Sequence, residues 1–201
     1  MSLTKEKKRL SGDERKKQIL KHTADLVALK GFKSVSIRDI ARAAGINESL
    51  IYKHFSSKDE LLVAIYEEYL SRAPKYLHIP ETEAEFIQML SKFEESFLYQ
   101  NMNAPNELRT LLYVILDEYD MPSAFSVHEN GSFLNWLNTC ISKGKDEWDF
   151  DKNVINEVYI SLFMGSMIYF TLQNSISGIF NVKTEKIEGI FSRMLIKSLK
   201  K

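Results

Sequence analysis

With Cys140 as the one cysteine among 201 residues, no intramolecular disulfide can form and the fold must rest on packing alone. Cys140 falls in an apolar helical pattern with Leu134, Leu137 and Ile141, a setting that favours a buried, inert thiol over the alternative of a redox sensor. His22, His54, His78 and His128 are scattered, and neither an HExxH pair nor a phosphate-cradling glycine loop is present. Catalysis, a bound metal and an organic cofactor are therefore not expected. The opening MSLTKEKKRL lacks the apolar stretch of a secretory signal, from which a cytoplasmic location is expected. No strand alternation, internal repeat or low-complexity tract is found. The run from Val158 to Val182 has no charge, but it carries Ser161, Ser166, Thr171, Gln173, Asn174, Ser175, Ser177 and Asn181. That is too polar for a lone membrane span of about 20 apolar residues, so no membrane association is expected and a helix buried on most sides accounts for the run.

Net charge is also missing, with 27 Lys or Arg against 27 Asp or Glu, but residues 1–58 carry fourteen basic and six acidic side chains, a net of +8, and the remainder is −8. A basic segment that neutralises phosphates and releases their counterions is the electrostatic footprint of a nucleic-acid binder. A merely solvated basic face is the alternative, and the local pattern has to decide between them.

That pattern is IRDIARAAGINESLIYKHF, from Ile37 to Phe55, in which Ala41, Gly45 and Ile51 are four and then six residues apart, the spacing of a helix-turn-helix. Two helices crossing steeply through a short turn need a small residue where their backbones nearly touch, which Ala41 supplies. The turn needs one residue of positive φ, which glycine adopts at almost no cost, and Gly45 sits there. Ile37, Ile40 and Ala44 give the first helix an inward stripe, with Ile51 facing it from the second. Cap signals bound the neighbouring helices. Ser11 to Glu14 and Ser57 to Glu60 are capping boxes, Ser36 precedes Asp39 in the same register, and Asn47 is a strong N-cap. These predict a mobile basic arm at 1–10, a three-helix head at 11–57 and a connecting helix at 58–70.

In this register ILKHTADLVALKGFKSVSIRDIARAAGINESLIYKHFSSKDELL resembles the N-terminal DNA-binding region of the TetR-type bacterial repressors. The family pattern is met by Gly31-Phe32, Ile40-Ala41, Ala44-Gly45, Tyr52, His54-Phe55 and Lys58, and the resemblance covers roughly residues 15–62. It implies an all-α protein, with the helix-turn-helix head followed by a larger C-terminal helical bundle over 58–201 that binds an effector and dimerises. It implies a ligand-responsive homodimeric repressor of a palindromic operator in double-stranded DNA. A helix-turn-helix adaptor that binds protein and not DNA is the alternative.

In such motifs the start of the second helix meets base edges in the major groove, so Asn47, Glu48, Ser49 and Leu50 are the reading candidates. Tyr52, Lys53 and His54 would reach phosphates, as would Ser36, Arg38 and Arg42 from the helix crossing the backbone. Lys58 draws notice because a cation in a helix's first turn opposes the macrodipole, whereas beside a phosphate it makes sense. For each a plainer occupation stays open: Tyr52 as a packing aromatic, His54 as a surface residue, Arg42 as a solvated charge. Ser49 stands where the family commonly has Gly and Leu50 where it has Thr, so the operator sequence is not readable.

Beyond Ser71 the period stays helical. Phe86, Ile87, Met89, Leu90, Phe93 and Phe97 form one stripe; Leu108, Leu111, Leu112, Ile115, Leu116 and Tyr119 form the next after a break at 101–106, and Met121-Pro122 ends it. A helix from about Ser123 to Ile141 with Phe133, Leu134, Trp136 and Leu137 inward, and a loop at Lys143–Glu147, are predicted next. A pocket lined by some of Phe93, Phe97, Tyr113, Trp136, Phe163, Met164 and Met167 would suit a small apolar or aromatic effector, although each also serves as ordinary core. The last helix starts near Thr184 and repeats Ile187, Ile190, Phe191, Met194, Leu195 and Leu199, close to a coiled-coil seam. The family resemblance implies that the last two helices pair with their twins across a two-fold axis as a four-helix bundle, a role this pattern suits, with Gly165 allowing close approach of a neighbour; intrachain packing is the other reading.

Overall fold

The computed structural model describes residues 10–72, 77–116, 133–176 and 178–200. Within these the chain is helical, and the one β-type pairing is an isolated bridge between Phe150 and Lys200. The arm expected at 1–10 lies almost wholly outside the described residues, as do Tyr119, the helix end at Met121-Pro122 and the helix start near Ser123. Packing divides the chain into two units, Met1–Tyr69 with Arg109–Asp120 and Leu70–Leu108 with Met121–Lys201.

The first unit begins with α1 (Gly12–Lys30), opened by a complete capping box in which Ser11 and Glu14 exchange side-chain and backbone hydrogen bonds. Then come α2 (Ile37–Ala44), α3 (Glu48–Tyr52) and α4 (Lys58–Ser71). Ile19, Val27, Ile40, Ile51, Leu61 and Leu62 are fully buried and form its core. The second half of α6 (Pro105–Leu116) belongs here too: the Thr110 hydroxyl, completely buried, donates to the Ala24 carbonyl at 3.0 Å across 86 residues of sequence. This long-range tie is invisible to local pattern.

The second unit holds α5 (Glu83–Asn103), α7 (Phe133–Glu147), α8 (Asn156–Thr171) and α9 (Ile190–Leu199). Its core is aromatic. Phe86 stacks on Trp148 with centroids 5.5 Å apart, Phe93 stacks on Phe133, and Trp136 donates its indole N–H to the His78 carbonyl at 2.7 Å. Cys140 is fully buried, and desolvation pushes its thiol up to about 12, which keeps the nucleophilic thiolate scarce.

Several sequence expectations change. Lys143–Glu147 is helical and not a loop, because Gly144 is small for a packing reason: a Cβ there would collide with the Phe150 ring. Leu134, expected inward, is 48% exposed. The charge-free run is not one helix buried on most sides, since α8 ends at Thr171, widens into a π-helical turn over Leu172–Ile176 and leaves Val158, Leu162 and Tyr169 exposed. The break at 101–106 shrinks to Ala104, with Pro105 at the start of α6 where its missing N–H costs nothing. No helix of the described residues is long and apolar enough to cross a membrane.

Candidate nucleic-acid interface

The turn between α2 and α3 closes by two backbone bonds, from Gly45 N–H to Arg42 O at 3.2 Å and from Ile46 N–H to Ala41 O at 3.0 Å. This is the paired pattern of a Schellman motif, and it requires Gly45 in the left-handed region, where φ is 66°. Gln18 of α1 adds a third tie, donating to the Ala44 carbonyl at 3.2 Å while accepting from Arg15 at 2.6 Å. Sequence reasoning missed Gln18, since nothing local marks a glutamine that reaches across 26 residues.

Both helices of the motif are capped from within. Ser36 Oγ accepts from Asp39 N at 3.1 Å and the Asp39 carboxylate accepts from the Ser36 amide at 3.1 Å. The Ser36 hydroxyl also donates to that carboxylate at 2.5 Å, and this bond first, with the one from the Ser36 amide, holds the Asp39 carboxyl below its usual value. Asn47 Oδ1 accepts from Leu50 N and from Ser49 Oγ, both at 2.9 Å. Asn47 and Ser49 therefore have defined orientations before any partner arrives. Ile51, fully buried, is the single buried residue of α3. Glu48, Ser49, Tyr52 and Lys53 are exposed and Leu50 and His54 half-buried, with Tyr52 at 54% exposure. Arg38 and Arg42 are exposed on α2, and Arg42 lies 3.8 Å from Asp39, a surface pairing of little energetic weight. The reading candidates are thus brought onto one short element, flanked by arginines.

Lys58 occupies a different place from the one its spacing implied. Its ammonium donates to the Phe32 carbonyl at 2.8 Å and the Val35 carbonyl at 3.0 Å and sits 4.2 Å from the centroid of the Phe32 ring. Partial burial pushes it below the ordinary lysine value, and neighbouring Asp59 opposes that shift.

These observations meet the comparisons with known proteins. Residues 19–65 match the model of bacterial regulatory proteins, tetR family. The head is thus of the TetR type over these residues. It is 27% identical over 158 residues to the uncharacterized HTH-type transcriptional regulator YvaF of Bacillus subtilis, covering 75% of this chain and 78% of that protein. It is 36% identical over 70 residues to the HTH-type transcriptional repressor Rv3405c of Mycobacterium tuberculosis, a match spanning 35% of this chain and 37% of that one. The fold is that of a TetR family regulator from Marinobacter aquaeolei, with a TM-score of 0.74, 20% identity and coverage of 93% and 96%. The matched family is one of DNA-binding regulators, and the relatives that share this region are named as HTH-type transcriptional regulators.

The positions expected for effector and dimer contacts separate in the structure. Phe93, Trp136, Phe163 and Met167 are buried and Phe97 and Met164 half-buried in the second unit. Tyr113 lies in the first unit, where Arg109 sits over its ring at 5.6 Å. Along the presumed dimer seam, Ile187 and Leu195 are buried in their own unit's core, Ile190 and Phe191 are half-buried, and Met194 is 60% exposed. Gly165 is exposed, with nothing within 4 Å of a notional Cβ.

Proposed function

We propose that this protein is a homodimeric repressor of the TetR type that reads a palindromic operator in double-stranded DNA and is controlled by a small apolar or aromatic effector. The observation that carries the reading is the internally capped start of α3, with Glu48 and Ser49 exposed and Leu50 half-buried, together with the exposed Arg38 and Arg42, on a segment of net charge +8. Glu48, Ser49 and Leu50 meet base edges, with Asn47 holding them, while Ser36, Arg38, Arg42, Tyr52, Lys53 and His54 anchor the backbone.

Two heads are needed because one motif makes too few contacts to separate its site from bulk DNA. The exposed stripe of Val158, Leu162, Gly165 and Tyr169 on α8, with Met194 of α9, supports pairing of a second copy there. Such an apolar row is rarely left to solvent, and glycine lets backbones approach closely. For the effector, Phe93, Phe97, Phe133 and Phe163 offer stacking faces. Gln100 Nε2, shielded and without a protein partner, lies seven residues after Phe93; it suits a ligand carrying a hydrogen-bond acceptor. Effector occupancy would then alter the separation of the two heads, and a preference of a few kcal/mol for the non-binding state is enough.

An operator selected from random duplexes provides the test. The logarithm of its affinity is expected to fall linearly with the logarithm of salt, by roughly 0.9 per phosphate contacted. Absence of duplex binding at low salt would favour the adaptor reading.

A further inference from the structure

We propose that Lys58 is a positioning residue for DNA reading: it latches the loop that leads into α2 onto the first turn of α4, instead of serving as a phosphate contact. The proposal rests on the reading of the head as a duplex-DNA reader.

The two carbonyls it holds, Phe32 and Val35, belong to the segment that ends at Ser36, the residue whose hydroxyl caps α2. Phe32 O also accepts from Val35 N at 3.2 Å, so the ammonium closes a turn already half-formed. Beneath it the Phe32 and Val35 side chains are each 2% exposed, which leaves the anchor nowhere to shift. An ammonium has three donors. Two are committed to carbonyls at ordinary lengths, and the Phe32 face lies 4.2 Å away, within the range of a cation–π contact. The first turn of a helix repels a cation, and two carbonyl oxygens compensate that repulsion with no DNA present. A lysine awaiting a phosphate needs a solvent-facing head; this one is turned inward and half-buried. The latch therefore sets how α2, and through the Gly45 turn α3, is presented to the groove.

The test uses Lys58→Met, which keeps an unbranched stem and removes the charge. Affinities are measured for the operator selected with the wild-type protein and for a scrambled duplex, across a salt series, beside amide exchange of residues 33–39. Operator affinity is expected to fall roughly tenfold, the worth of lost hydrogen bonds to a charged group. Scrambled-duplex affinity should change by no more than about twofold with its salt slope kept, because no phosphate contact is lost. Exchange at Val35 to Asp39 should accelerate. A uniform loss on both duplexes, with the slope reduced by about 0.9 per contact and exchange unchanged, would overturn the latch. Should the variant fail to fold, the wild-type protein still decides, through the Nζ–H signal of Lys58 in a ¹H–¹⁵N spectrum without DNA. A signal that persists at neutral pH supports the latch, and one that appears only on adding duplex contradicts it. Wild-type protein that binds no duplex overturns the DNA reading itself, while the ammonium signal continues to report on the latch.

Discussion

Glu94→Ala should remove about 3 kcal/mol of unfolding free energy, since hydrogen bonds to a charged group are worth about 1.5–3 kcal/mol and their loss strands buried donors. Glu94 is fully buried in α5, an unusual place for a carboxylate. It accepts from the Ser192 amide at 2.8 Å, from the Ser192 hydroxyl at 2.5 Å and from the Phe191 amide at 3.3 Å. Those amides are the first turn of α9, whose N-cap is Gly189 and has no side chain to offer. Glu94 thus caps a helix from another helix 97 residues away and places its charge where the macrodipole favours it. Alanine would leave two N–H groups and a hydroxyl without partners, whereas Glu94→Gln, retaining size and an acceptor oxygen, should lose less. Urea titration of the three proteins checks this. Equal midpoints for wild type and alanine variant would show that α9 does not depend on the cap.

A second large effect is expected at Ile51→Ala: about 3 kcal/mol lost from the head, from deleted apolar burial plus the cavity left behind. The functional loss should be larger still. A helix of five residues has no stability of its own in water, and α3 is attached by one fully buried side chain. Loosening Ile51 frees the element that carries Glu48 and Ser49, so operator binding should vanish under conditions where α1 still folds. Circular dichroism with a binding assay on the same sample separates the two outcomes. Full operator affinity in a destabilised variant would mean that α3 does not read bases.

The head was legible in the sequence because its determinants are local. Ser11 and Glu14, Ser36 and Asp39, Asn47 and Leu50 all act within three residues, and all make the bonds their spacing implies. Gly45 adopts the positive φ that the turn demands. What escaped was set by distant partners. Gly144 and its charged neighbours look like a loop until Phe150 is seen folded against the glycine. A run without charge suggested a helix buried on most sides, yet a single chain covers one face of α8, including Phe163 and Met167, and leaves Leu162 63% exposed. Glu94 carries no local mark that separates it from a solvated acid. Lys58 was singled out correctly as an anomaly for its helix position, but its carbonyl partners lie 23 and 26 residues upstream, beyond any capping pattern.

The central claim is that two copies of the head read one symmetric site. Hydroxyl-radical footprinting of the selected operator, with the protein-to-duplex ratio determined on the same complex, tests it most directly. The account predicts two protected half-sites related by two-fold symmetry, centred about one helical turn or a small multiple of it apart, roughly 34 Å per turn, with two chains or a multiple of two per duplex. Protection of a single half-site by one chain, or no protection at all, would contradict it.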